Sequence, residues 1–174
     1  MSLTFAQFNT LSQEDAIAQL LTCCTSTQWA QKLARARPFT DQEALLASSD
    51  DVWHEVQADE SNLLEAFDGH PQIGNVASLK AKYCNTQDSA AHEQSGANDA
   101  SDATLEALAQ GNQDYLDKFG FIFIVFASGK SAQQMLDLLL ARLPNDRATE
   151  LTNAAAEQNK ITQLRLTKLL APAQ

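Results

Sequence analysis

The sequence contains little glycine, proline, cysteine or positive charge. Its 174 residues include only 6 glycines and 4 prolines, which excludes a collagen-like or linker-like chain. The 12 lysines and arginines are outnumbered by 22 aspartates and glutamates, which gives a net charge of −10. Because phosphate binding needs a basic surface, we expect no nucleic acid as the main partner. A small anionic substrate is compatible with this charge, since one buried arginine outweighs a distant acidic surface.

The cysteines and the apolar runs indicate where in the cell the protein is expected. Cys23, Cys24 and Cys84 form an odd set without a C-x-x-C spacing, which is not a disulfide framework and favours the cytoplasm. The N-terminus lacks a basic segment followed by an apolar run, so no signal peptide is expected. The longest apolar run, Phe121 to Ala127, is far too short to cross a bilayer, so we expect no membrane partner.

Apolar residues recur mainly at helical spacing, which predicts an all-α fold in a single multi-helix domain spanning residues 1–174. Side chains suited to N-caps precede four of the predicted helices. They are Ser12, Thr40, Ser61 and Ser131, with capping boxes predicted for Thr40 with Glu43 and for Ser131 with Gln134. The last helix is predicted to start after Asn145 and to run to Leu170. The aromatic and β-branched segment 121–127 favours a strand but has no partner strand, so it is interpreted as a buried extended or helical segment.

His70 is the first candidate for chemistry. It lies between Gly69 and Pro71, two residue types that fix an irregular backbone at the end of a predicted helix. An imidazole with an ordinary pKa near 6.5 suits general acid or base catalysis. The alternative is a capping or surface histidine at a turn.

Glu93 and Gln94 are a second candidate pair, in a polar, alanine-rich stretch. A carboxylate beside an amide can orient an imidazole and bind an amide-rich ligand. The alternative is a solvated acidic residue in a polar loop.

Arg165 is the third candidate. On a helical wheel with Ile161 at zero, Arg165 falls at about 40° and Leu169 at about 80°, so the arginine lies within the apolar stripe. A buried guanidinium cannot lose its charge and needs a partner. That partner is either a structural carboxylate such as Glu157 or an anionic or carbonyl-rich ligand.

Metal binding is not expected. His54, His70 and His92 have no H-x-x-x-H spacing, and a phosphate-binding glycine loop and a G-x-S-x-G motif are both absent.

Six segments, in order along nearly the whole chain, together resemble one enzyme family. They are Trp29-Ala…Arg37-Pro-Phe39, Ala66-Phe-x-x-His-Pro-x-Ile-Gly74, Glu93-Gln-x-Gly-Ala97, Asn112-x-x-Tyr-x-x-Lys-Phe-Gly-Phe121, Arg142-Leu-x-Asn-Asp146 and Lys160-Ile-x-x-Leu-Arg-Leu166. The chain resembles the OHCU decarboxylases, bacterial members in particular. OHCU is 2-oxo-4-hydroxy-4-carboxy-5-ureidoimidazoline.

The resemblance implies an all-helical, cofactor-free, homodimeric enzyme of urate breakdown that converts OHCU to (S)-allantoin and CO2. The residues implied in its site are His70 and Glu93 as catalytic groups, and Pro71, Gln94, Val125, Phe126, Ala127 and Arg165 as substrate contacts. The three residues 125–127 are implied to act largely through their backbone.

One position departs from the family pattern. Many members have serine three residues before the glutamate, where this chain has Ala90, with Ser89 one place earlier. Two other interpretations stand beside the enzyme, and the departure at Ala90 bears on the second of them. One is a helical interaction module whose acidic surface binds a basic partner, and the other is an inactive relative that binds products of purine breakdown. The enzyme interpretation predicts that His70, Glu93 and Arg165 converge, whereas the module predicts that they lie apart.

Overall fold

The computed structural model describes residues 3–71, 77, 79 and 101–171. Within these ranges the regular structure is helical apart from one pair of two-residue strands, which confirms the all-α prediction. The helices are α1 (Phe5–Thr10), α2 (Gln13–Leu20), α3 (Thr27–Arg35), α4 (Gln42–Val56), α5 (Glu60–Asp68), α6 (Asp102–Phe119), α7 (Ala132–Arg142) and α8 (Arg147–Leu169). The strands β1 (Leu3–Thr4) and β2 (Leu170–Ala171) pair in parallel. No helix in the described ranges is long and apolar enough to cross a membrane.

Two of the predicted helix caps are confirmed. The Ser12 side chain accepts a hydrogen bond from the backbone N–H of Asp15 at the start of α2. At the start of α7, Ser131 and Gln134 exchange the reciprocal bonds of a capping box. Both caps satisfy backbone N–H groups that the first helical turn leaves without an intrahelical partner.

The predicted caps of α4 and α5 are wrong. Asp41, not Thr40, caps α4, and its carboxylate accepts from the backbone N–H of Ala44 at 2.8 Å. Asp59, not Ser61, caps α5, and its carboxylate accepts from both the N–H and the hydroxyl of Ser61. In each case a carboxylate one or two positions before or after the predicted hydroxyl accepts the capping hydrogen bond instead.

The chain divides into two units, and the first comprises Met1–His70 and Asn153–Gln174. Two buried tryptophans connect its helices. Trp29 Nε1 donates to Ser49 Oγ at 3.1 Å, and Trp53 Nε1 donates to the carbonyl of Ala155 at 3.0 Å. These bonds join α3 to α4 and α4 to α8 while satisfying both indole N–H groups inside the core.

The second unit comprises Pro71–Thr152. Its described part contains α6, α7 and the start of α8, and its core includes an aromatic cluster of Tyr115, Phe119, Phe121 and Phe123. Residues 121–127 belong to neither a helix nor a strand, so the helical alternative for this segment is wrong. Phe121, Phe123 and Ile124 are buried, as the sequence predicted. The single domain over residues 1–174 stays a prediction.

Candidate active site

His70 follows the end of α5 on a turn fixed by Thr25. Helix α5 ends at Asp68, with Gly69 as its C-cap, and the His70 backbone N–H donates to the carbonyl of Phe67 at 3.1 Å. The Thr25 hydroxyl donates to the last-turn carbonyl of Glu65 at 2.8 Å. A Cβ atom at Gly69 would overlap with the Thr25 side chain, so this position requires glycine for space.

The His70 ring is hydrogen-bonded to a buried amide on α8. His70 Nε2 lies 2.6 Å from Gln158 Oε1, and the Gln158 side chain is fully buried. The amide nitrogen of Gln158 donates in turn to Thr162 Oγ1 at 3.0 Å. Because α8 is also anchored through Trp53 in the core, this chain of polar groups fixes the position of the imidazole.

The surroundings of His70 favour its neutral form. Burial lowers the pKa of His70 below its usual value of 6.5, and the positive charge of Arg165 lowers it further. The hydrogen bond to Gln158 acts in the opposite direction and is the weaker of the two main effects. At neutral pH the ring therefore has a lone pair available and suits a general base.

Arg165 is half-buried on the same helix. Its Nη1 donates to the carbonyl of Cys23 at 3.3 Å. In the described part of the chain Arg165 forms no ion pair, and Glu157 is paired instead with Lys160 at 2.6 Å. The structural carboxylate that the sequence allowed as a partner for Arg165 is therefore not Glu157. The guanidinium has five N–H donors, so it retains donors for an anionic or carbonyl-rich ligand.

Cys23 and Cys24 are buried beside this group and are not activated thiols. Burial raises the pKa of both, that of Cys24 to about 11. The nearby charge of Arg165 lowers each pKa only in part. Both cysteines are therefore protonated at neutral pH, and the thiolate required of a nucleophile is absent.

The predicted site residues fall into three groups. His70 and Arg165 lie in the first unit, close enough for the arginine charge to act on the imidazole. The exposed Pro71 follows His70 directly. Glu93 and Gln94 lie outside the described residues, as do Ser89 and Ala90, so the predicted convergence of His70, Glu93 and Arg165 stays a prediction.

Val125, Phe126 and Ala127 are half-buried in the second unit. Lys130 Nζ donates to the Phe126 carbonyl at 2.7 Å, and the Lys130 backbone N–H donates to the carbonyl of Ala127 at 3.1 Å. Both bonds hold the backbone of this segment in place. Its predicted contact with a substrate stays a prediction.

Gln158 and Thr162 were missed by the sequence reasoning. Both are buried polar residues, and they precede Arg165 on α8 by seven and three positions. Residues at this spacing share one helix face, so the wheel that singled out Arg165 also contained the signal for Gln158 and Thr162. Among the described residues, no group of three histidine, cysteine or acidic side chains is placed to hold a metal ion.

Comparison with known proteins identifies the family. The family model for OHCU decarboxylase matches residues 9–167. The chain belongs to the OHCU decarboxylase family. A crystal structure of OHCU decarboxylase in the presence of (S)-allantoin superposes with a TM-score of 0.69 at 36% identity, covering 91% of this chain and 98% of that one.

Two curated relatives extend this comparison. The uric acid degradation bifunctional protein TTL of Arabidopsis thaliana is 39% identical over 86% of this chain, which spans only 45% of that longer protein. The 2-oxo-4-hydroxy-4-carboxy-5-ureidoimidazoline decarboxylase of Halalkalicoccus jeotgali is 25% identical over 98% of this chain and 93% of its own length.

Proposed function

We propose that this chain is a cofactor-free carboxy-lyase that converts OHCU to (S)-allantoin and CO2 in urate breakdown. The observation that carries the proposal is the His70 imidazole held by the buried Gln158, in surroundings where burial and the charge of Arg165 lower the pKa of the ring. Membership of the OHCU decarboxylase family supports the choice of substrate.

The reaction needs few groups from the protein. The bond from the ring carbon to the carboxylate breaks, its electron pair passes into the neighbouring imine or carbonyl system, and CO2 leaves. A proton added to one face of the ring gives the S product, so the reaction takes up one proton from solvent overall. The enzyme has to orient the carboxylate perpendicular to the accepting system and to control this proton.

We assign the proton transfer to and from the substrate to His70. Its neutral ring removes the hydroxyl proton of the substrate or, once protonated, delivers the proton that sets the configuration. Arg165 binds a carbonyl, a carboxylate or the developing oxyanion through its remaining N–H donors. Glu93 orients His70 or holds the ureido N–H groups.

The remaining predicted contacts surround the substrate. Pro71 and Gln94 bind it beside the catalytic groups, and Val125, Phe126 and Ala127 bind it largely through backbone groups. The apolar segment 121–127 excludes water from the leaving carboxylate, which strengthens the polar contacts.

We also propose that the chain forms a homodimer, as the family resemblance implies, and that it lies in the cytoplasm, as its cysteine pattern favours. Sedimentation equilibrium of the full chain tests the first point, with twice the chain mass expected and the mass of one chain contradicting it. Fractionation of the source cells tests the second.

The circular dichroism of allantoin made from freshly generated OHCU tests the function. Spontaneous decay gives a racemate and no lasting signal, whereas the enzyme should give a rapid signal of the S sign. A folded protein whose signal matches the blank contradicts the proposal. Tight binding of allantoin without turnover would instead support the inactive relative.

A further inference from the structure

We propose that Gln158 is a positioning residue for His70. It holds the imidazole with its proton on Nε2, so that Nδ1 is the atom that exchanges a proton with the substrate. The role of Nδ1 in turnover rests on the proposed function, whereas the protonation of Nε2 is a property of the resting protein and is measured without substrate.

The first argument is the contact between the two side chains. His70 Nε2 and Gln158 Oε1 lie 2.6 Å apart, and the amide is fully buried. An amide oxygen only accepts hydrogen bonds, so the imidazole nitrogen facing it must donate. In the opposite tautomer, the Nε2 lone pair would face the oxygen lone pairs at this short distance, which is repulsive in a buried site.

The second argument is that Gln158 is itself oriented. Its Nε2 donates to Thr162 Oγ1 at 3.0 Å, and Thr162 is 2% exposed. The threonine oxygen accepts this hydrogen bond, and the amide oxygen of Gln158 faces His70.

The third argument concerns the other ring nitrogen. In the described ranges His70 Nδ1 has no hydrogen-bond partner, whereas Nε2 is engaged. A general base needs an accessible lone pair, and Nδ1 is the nitrogen that has one when Nε2 is protonated. Among the described residues, Arg165 is the charged group whose field acts on the ring, and it favours the neutral form.

The ring nitrogens are tested directly by long-range 1H–15N NMR of the full chain at pH 7.5. The chain has 3 histidines, so His70 is assigned by comparison with a His70→Asn variant. We expect a protonated Nε2 and an unprotonated Nδ1. A His70 ring with its proton on Nδ1 overturns the proposal, whether or not the chain decarboxylates OHCU.

Variants of Gln158 separate positioning from packing. Gln158→Leu removes the acceptor, and we expect kcat to fall at least ~10-fold while KM changes less than ~3-fold. Gln158→Glu keeps an acceptor, so it should retain the Nε2–H tautomer. It also adds a negative charge that favours the imidazolium, so the acidic limb of the pH profile of kcat/KM should move to higher pH. Thr162→Val should act like Gln158→Leu but more weakly, and Thr162→Ser should restore activity.

Gln163→Leu is the matched control. Gln163 lies on the same helix, is half-buried and donates to the carbonyl of Leu46, away from His70. The control should keep wild-type kcat and the wild-type tautomer.

If Gln158→Leu folds, retains the tautomer and matches wild-type kcat, the proposal is wrong. If Gln158→Leu does not fold, the decisive variant is Gln158→Glu. The proposal is then overturned if the acidic limb of the pH profile of kcat/KM in Gln158→Glu lies at the wild-type pH. If wild-type protein lacks activity, the function fails and the NMR result alone decides the tautomer.

Discussion

Arg142 Nε donates to Glu150 Oε1 at 2.7 Å, and the glutamate is fully buried in the second unit. The same carboxylate accepts from the Tyr115 hydroxyl at 2.6 Å and from the Asn145 amide at 2.9 Å. Arg142 Nη1 donates to the Ile124 carbonyl at 2.7 Å. The pair thereby connects the backbone of the segment 121–127 to α7 and α8.

Replacing Glu150 should destabilise the protein strongly. Glu150→Ala leaves the guanidinium of Arg142, whose side chain is 12% exposed, without its counter-charge. Removing one partner of a buried ion pair costs about 3–5 kcal/mol, and we expect a loss of unfolding free energy in this range. Urea denaturation followed by circular dichroism measures it.

Glu55→Ala is the control for that experiment. Glu55 pairs with Lys32 at 2.8 Å, but its side chain is 64% exposed. An exposed pair contributes less than about 1 kcal/mol, so this variant should be close to wild type. Equal losses in Glu150→Ala and Glu55→Ala would contradict the assignment of the buried pair.

Local features of this fold were predictable from sequence because local interactions decide them. Ser12 and Ser131 with Gln134 are caps whose partners lie three residues away, and both predictions are confirmed. The predictions of Thr40 and Ser61 as caps were wrong because an aspartate one or two positions away caps the helix instead. Sequence alone does not show which of two neighbouring caps the helix selects.

The candidate site was only partly predictable because its contacts are not local. His70 and Arg165 were found from their residue types and from the helical wheel. The partner of His70 is 88 positions away in sequence, and a glutamine in a helix gives no sign of which ring it faces. Gln158 could therefore be identified only from the position of the turn after α5 relative to α8.

Replacing His70 should abolish most of the activity but should change the stability of the protein little. In His70→Asn we expect kcat/KM for OHCU to fall by about 100-fold or more, because general acid–base catalysis contributes about 10²–10⁴-fold. Stereospecific formation of allantoin, followed by circular dichroism, measures the rate. His54→Asn is the control, since His54 is an exposed residue of α4. Wild-type activity in His70→Asn would contradict the assignment of His70 as the acid–base catalyst.

His70 should also make stability depend on pH. Its pKa is lower in the folded chain than the usual 6.5, mainly because of burial, so the folded chain binds fewer protons than the unfolded chain below that pH. The contribution is fully present above pH 6.5 and is lost as the pH falls through the folded-state pKa. The Tm of wild type should therefore decrease more between pH 7.5 and pH 5 than that of His70→Asn. Parallel curves for the two proteins would contradict this.

Gly69→Ala should displace His70. The new Cβ atom would overlap with the Thr25 side chain, which is held by its hydrogen bond to the Glu65 carbonyl. Overpacking of this kind costs about 1–3 kcal/mol, and the shift of the turn should lower kcat/KM as well. Thermal unfolding and the OHCU assay measure the two effects. A variant with unchanged Tm and activity would show that the turn adapts without cost.

Replacing Arg165 should raise the pKa of His70. The positive charge of Arg165 lowers that pKa, so Arg165→Gln removes an effect that disfavours the imidazolium. NMR titration of the His70 ring should show an upward shift, and the acidic limb of kcat/KM should move to higher pH with it. The variant also loses the hydrogen bond to the Cys23 carbonyl, which contributes about 1 kcal/mol.

Arg35→Gln is the matched control, since it removes the same charge from an exposed position at the end of α3. Its His70 titration should superimpose on that of wild type. An upward shift in Arg165→Gln alone means that the charge of Arg165 helps to keep the His70 imidazole neutral. Equal titrations in both variants would mean that Arg165 does not tune the imidazole and that burial alone lowers the pKa of His70.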